Sequence, residues 1–200
     1  MPSRQLIGLS TLAAAALAAV LIVAAATRDR SSSASPESRF EGATMPAGLR
    51  APGFALHDQN GKQISMAEFR GQPVIVTFLY SHCRDTCPVE AKLIDEAIQQ
   101  LGHPAAAIAV SVDPRGDTPQ SVHRFMAEQG IKSNIRWVLG SRRQLAPIWK
   151  GYAVTAQTKD EEHLARVTLV DKKGFQKVGY PFDQTTPERI AHDMRALARE

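Results

Sequence analysis

The chain has two cysteines, Cys83 and Cys87, four residues apart in "YSHCRDTCPVEAKLIDEAI". Paired thiols at this spacing support three chemistries: a disulfide staple, a redox couple in which one thiol attacks and the other resolves, or a clamp on a soft metal ion. If a helix begins at or just before Cys83, both side chains share a face of its first turn, with Cβ atoms about 5–6 Å apart. That bite chelates one metal ion, and a modest adjustment toward about 4 Å would close a disulfide. A staple around so short a loop would constrain the unfolded chain little. A helix N-terminus also favours thiolate through its free N–H groups and dipole. Pro88 fits a first turn, where its missing N–H costs nothing. Two thiolates select Cu(I), or Zn(II) if further ligands are present. Structural zinc wants four protein ligands and no other cysteine exists, so a third ligand must be one of the six histidines.

The elements that must position this pair follow from periodicity. "QPVIVTFLYS" reads as a strand buried on both faces, ending just before the cysteines. From Cys87 to Leu101 the apolar residues Val89, Leu93, Ile94, Ala97, Ile98 and Leu101 recur at helical spacing, and Gly102 stops the run. Upstream, "PGFALHDQNGKQISMAEF" predicts a hairpin turning at Asn60-Gly61. Downstream come a strand in "AAAIAVSV" and a helix with Thr118 as N-cap, Pro119 at its first turn and Gly130 at its stop. A short strand in "NIRWVLGS" follows, then a helix interrupted by Pro147. Two strands joined by a turn at Asp171–Gly174 and a closing helix capped by Thr186 complete the chain. This order predicts an α/β domain with a mixed central sheet flanked by helices. A cysteine motif between strand and helix narrows it to a thioredoxin-like fold.

Composition bounds the rest. The chain is 44% hydrophobic and 22% charged, with a net charge of +4 and no long basic block, so no nucleic-acid partner is indicated. Leu6–Ala26 is uncharged and matches the length that crosses a bilayer. Residues 1–27 therefore read as a transmembrane anchor or signal, residues 28–45 as a flexible polar tether, and 46–200 as the domain. The domain is expected on the extracytoplasmic side of a membrane, or secreted if the N-terminal segment is cleaved.

Several stretches together resemble the Sco/SenC family of copper-binding cytochrome c oxidase assembly proteins. They are "SHCRDTCP" after a buried strand, "SVDPRGDTPQSV" after the next, and a histidine eleven residues before a hairpin glycine in "EEHLARVTLVDKKG". The similarity spans roughly Pro52–Leu197. It implies a copper ion held by Cys83, Cys87 and His163, a metallochaperone role, and delivery to the copper centre of cytochrome c oxidase subunit II. Glu162 and Leu164 flank His163 where members usually carry aspartate and a small hydroxyl residue. The alternative is a membrane-tethered thiol–disulfide oxidoreductase, in which Cys83 and Cys87 reduce the cysteines of a copper-accepting partner. His82 sits beside Cys83. His57, His103, His123 and His192 are expected in turns or on exposed helix faces. Asp113 and Asp117 are expected to shape a loop and cap a helix, Asp85 to set local charge, and Tyr80 to pack over the site.

Overall fold

The computed structural model describes residues 39–157 and 165–200. Six strands form the central sheet: β1 (Ala43–Thr44), β4 (Val74–Leu79), β5 (Ala106–Ser111), β6 (Ile135–Val138), β7 (Arg166–Val170) and β8 (Gln176–Pro181). Their order is β1-β8-β7-β4-β5-β6. β4, β5 and β6 run parallel, while β7 pairs antiparallel with β4 and with β8. β2 (Ala55–His57) and β3 (Gln63–Ser65) make a separate hairpin, whose turn uses Gly61 at φ 71°. The helices are α1 (Thr86–Leu101), α2 (Pro119–Gln129), α3 (Arg142–Gly151) and α4 (Pro187–Ala198).

All six residues of β4 are buried, because helices cover both faces of the sheet. Ile75 and Leu79 join one apolar core with Ile94 and Ile98 of α1, Phe125 of α2 and Ile190 of α4. Val74, Val76 and Phe78 point the other way, toward Leu145, Ile148 and Trp149 of α3 and the hairpin residues Leu56 and Ile64. The mixed sheet flanked by helices is thus present, and β4 delivers the chain to the cysteines from the middle of the sheet.

Three expectations need correction. The domain begins before Pro46: Arg39–Glu200 form one compact unit. Phe40 enters the core, β1 pairs with β8, and the buried Asp193 carboxylate accepts from the N–H groups of Glu41 and Gly42 at 2.9 and 3.0 Å. Those partners lie some 150 positions away, so the polar composition of the segment concealed them. Pro147 does not interrupt its helix, since Arg142–Gly151 runs through it. Pro147 is exposed while Leu145, Ile148 and Trp149 are buried, and that packing holds the helix despite the missing N–H. On α1, Val89 is 47% exposed whereas Glu90 is fully buried. The expected anchor, 1–27, and the tether up to residue 38 lie outside the described residues. No helix among the described residues is long and apolar enough to cross a membrane.

Candidate functional site

Helix α1 starts at Thr86, so Cys83 lies in the preceding loop and Cys87 in the first turn. The two still meet. Asp85 occupies the N-cap position without making a side-chain cap bond, and the Cys83 Sγ instead accepts from the Cys87 N–H at 3.4 Å. A sulfur thus takes the capping role where the helix presents free donors and the positive end of its dipole. Both cysteines are free thiols; Cys87 is fully buried and Cys83 is 8% exposed.

The thiols differ sharply in acidity. The hydrogen bond from the Cys87 thiol holds Cys83 well below the usual thiol range, helped by the backbone N–H groups of Asp85 and Cys87 and by the Tyr80 side chain. Sharing that bond with Cys83 pushes Cys87 up, and burial adds to the rise. The pair therefore loses its first proton from Cys83 and keeps the second on Cys87. The negative charge of the pair thus sits on the outer sulfur, and the inner one keeps its proton.

Two buried carboxyls surround the pair. Glu90, one turn beyond Cys87, accepts from the Thr77 hydroxyl of β4, while its Oε2 has no protein partner. Burial raises its carboxyl to about 7, and the nearby Cys83 adds to the rise. Asp117 accepts from the Ser81 N–H and the Ser81 hydroxyl, both at 2.7 Å, and from the Ser111 hydroxyl at 2.5 Å. Burial raises its pKa as well. The expected division of labour in "SVDPRGDTP" changes accordingly. Thr118 caps α2 through the Ser121 N–H, and Asp113 shapes the turn by accepting from Arg115 and Gly116. Gly116 allows close approach, since a Cβ there would run into the Asp113 carboxylate and lie 3.1 Å from His82 Nδ1.

A cavity of about 590 Å³ opens beside Cys83, lined by Tyr80, Asp85, Met45, Phe182, Gln157 and Ala165 among others. Its lining is mostly apolar. Among the described residues no group of three or more His, Cys, Asp and Glu side chains could hold a metal ion. His163 lies outside the described residues, between Gln157 and Ala165 in sequence. His82 is exposed, with Nδ1 3.2 Å from the Ser81 hydroxyl. His57 is exposed on β2 rather than in a turn, and His103, His123 and His192 are exposed too. Sequence reasoning missed Glu90. Its only signal was a position three residues after Cys87, on the face that carries Cys87 into the core.

A thioredoxin-like sheet that delivers two thiols to a helix N-terminus defines a class of proteins whose cysteines exchange electrons or hold soft metals. Within that class the SCO1/SenC family model matches residues 43–199, and the chain belongs to this family. It is 32% identical over 116 residues to the mitochondrial protein SCO2 homolog of Bos taurus, a match covering 54% of this chain and 43% of that protein. The match thus spans under half the length of that relative. Among solved structures, copper-bound ScoI of Bradyrhizobium japonicum superposes with a TM-score of 0.64 at 28% identity, covering 74% of this chain and 99% of that one. BsSco, a member of the Sco family of cytochrome c oxidase assembly proteins, has the same fold at 20% identity, with a TM-score of 0.68 and coverage of 78% and 98%.

Proposed function

We propose that this chain is a copper metallochaperone whose cargo, Cu(I), is held by Cys83, Cys87 and His163. On this reading the ion passes to the copper centre of cytochrome c oxidase subunit II. The domain stands outside the cytoplasm, on a membrane anchor formed by the apolar segment Leu6–Ala26. The observation that carries the reading is the cavity beside Cys83. Its lining includes Gln157 and Ala165, the residues that bound 158–164. His163 is two residues from Ala165, a span of at most about 7 Å of chain. Two sulfurs, one already ionised, suit Cu(I), and a third ligand from a separate stretch of chain allows release by ligand exchange. The fit is supported by the copper-bound relative of similar sequence.

The test is a Cu(I) titration of the full chain in detergent micelles against a chelator of known affinity. One copper per chain is expected, with His163→Ala weakening affinity at least about tenfold, the loss typical of a disturbed metal shell. Dithiol oxidation should be unchanged in that variant. Equal affinities in variant and wild type would remove His163 from the site.

The unequal acidity of the thiols favours a second reading, a thiol–disulfide oxidoreductase. Cys83 would attack a partner disulfide and Cys87 would resolve the mixed disulfide, leaving the partner reduced. A chain that retains no copper yet turns over a partner disulfide would decide for this role.

A further inference from the structure

Cys83 lies outside any helix or strand, yet its sulfur must meet the Cys87 N–H within hydrogen-bonding distance. Something must hold the loop from its other end. The loop leaves β4 at Leu79 and is tied at Ser81, two residues before Cys83. There Asp117 Oδ1 takes both the Ser81 N–H and the Ser81 hydroxyl. Asp117 Oδ2 takes the hydroxyl of Ser111, the last residue of β5, which pairs with Leu79 of β4. The Ser81 hydroxyl also lies 2.8 Å from the Ser121 hydroxyl in the first turn of α2. Strand β5 and the cysteine loop therefore converge on one buried carboxylate, and α2 joins them through the Ser81 hydroxyl.

We propose that Asp117 is a positioning residue for the Cys83–Cys87 pair, holding the loop so that Cys83 Sγ stays against the first turn of α1. This rests on the reading that the two cysteines are the working pair, whether for metal or for thiol exchange. A carboxylate suits the task because both its oxygens only accept, so three donors are drawn to one point. An asparagine can do nearly the same. Its Oδ1 keeps both Ser81 bonds, and its NH₂ can donate to the Ser111 hydroxyl, which accepts equally well. An alanine keeps none of the three. With the anchor gone, the hydrogen bonds between the free thiols loosen, whereas a disulfide, being covalent, does not need it. Loss of Asp117 therefore favours the oxidised form.

The test equilibrates the full chain in detergent micelles with glutathione redox buffers and reads oxidised and reduced fractions by alkylation and mass spectrometry. In that reaction Cys83 and Cys87 give two electrons and two protons to oxidised glutathione, forming one disulfide and two molecules of reduced glutathione. Asp117→Ala is expected to shift the equilibrium about tenfold toward the disulfide, about 30 mV, with Asp117→Asn within about threefold of wild type. Asp95 supplies the control. It is a buried carboxylate about two turns along α1 from Cys87, and it accepts from Lys132 N, Ser133 N and Gln99 Nε2 rather than from the cysteine loop. Asp95→Ala is expected to lower the melting temperature without moving the equilibrium. An unshifted Asp117→Ala, or an equal shift in Asp95→Ala, would overturn the proposal. If Asp117→Ala does not fold, Ser81→Ala takes its place. It keeps the backbone bond and is expected to shift the equilibrium about threefold in the same direction, and no shift there overturns the proposal. The redox equilibrium needs no copper, so a chain that binds none defeats the metal reading and leaves this test standing.

Discussion

Cys83 ionises first because its sulfur receives hydrogen bonds from its partner thiol and from backbone at a helix N-terminus. The partner thiol is the largest of these causes. Replacing Cys87 by alanine, which has no donor, should therefore raise the Cys83 pKa and slow its alkylation at pH 6 by about an order of magnitude or more, since only thiolate reacts. Rates of iodoacetamide labelling followed by mass spectrometry will show this, and an unchanged rate would mean the helix terminus alone sets the acidity. Glu90 gives a prediction of opposite kind. Its carboxyl titrates at about 7 when folded, against an ordinary 4.5, because it is buried beneath α1. The folded state therefore binds the extra proton between those two values. The stability this brings is fully present below pH 4.5 and is lost as pH rises through 7. The gap corresponds to about 3 kcal/mol. In Glu90→Gln that slope should vanish, so the variant's melting temperature relative to wild type rises between pH 5 and 8. Thermal denaturation across that range measures it; parallel curves would show that Glu90 is charged in the folded protein throughout.

At the scale of elements, the site depends on where α1 and α2 begin. α1 begins without a conventional cap, and a cysteine sulfur fills the place, so the start of the helix and the reactivity of the thiol are one feature. α2 begins conventionally, with the Thr118 hydroxyl accepting from the Ser121 N–H and Pro119 in the first turn. Thr118→Ala should cost about 1 kcal/mol, lowering the melting temperature by about 2–4 °C. Ser121 is also bonded to Ser81, so the same variant tests whether the α2 cap and the cysteine loop are coupled: if they are, Cys83 labelling rates will change as well. Calorimetry and labelling on one preparation separate the two effects. α3 teaches a different lesson. A proline in its interior argues for a break, yet the buried face of Leu145, Ile148 and Trp149 outweighs it, and Trp149 adds a hydrogen bond from its Nε1 to the Ser111 carbonyl.

At the scale of the whole molecule, the sheet is closed on one edge by residues that the composition assigns to a tether. Phe40 is 7% exposed and packs in the same core as Cys83, and the buried Asp193 holds the next two backbone N–H groups. Phe40→Ala should cost about 3 kcal/mol or slightly more, as emptied aromatic sites do. Urea denaturation should then show a lower midpoint with little change in slope. A loss below about 0.5 kcal/mol would mean the segment does not hold the fold. β1 also brings Met45 to the cavity wall beside Cys83, so the N-terminal strand shapes the site as well as the core.

Much of this was legible in the sequence because it is local or periodic. The hairpin at Asn60-Gly61, the buried strands, the caps at Thr118 and Thr186 and the glycine stops at 102 and 130 follow from near neighbours and from residue types with restricted backbones. The cysteine pair stood out because nothing else in the chain repeats it. The rest depended on contacts between distant residues. Glu90 and Val89 are neighbours on one helix, and only the packing of α1 on β4 decided that the carboxyl goes inside and the valine out. Asp117 reads as an ordinary loop aspartate until Ser81 and Ser111 converge on it. Periodicity marks which face of an element is buried on average; which donor meets which acceptor across the core is set only when the elements are assembled. By itself the sequence determined that two thiols stand where a strand meets a helix, and the tertiary structure alone decided which of them gives up its proton, because that depends on burial and on bonds made from other elements.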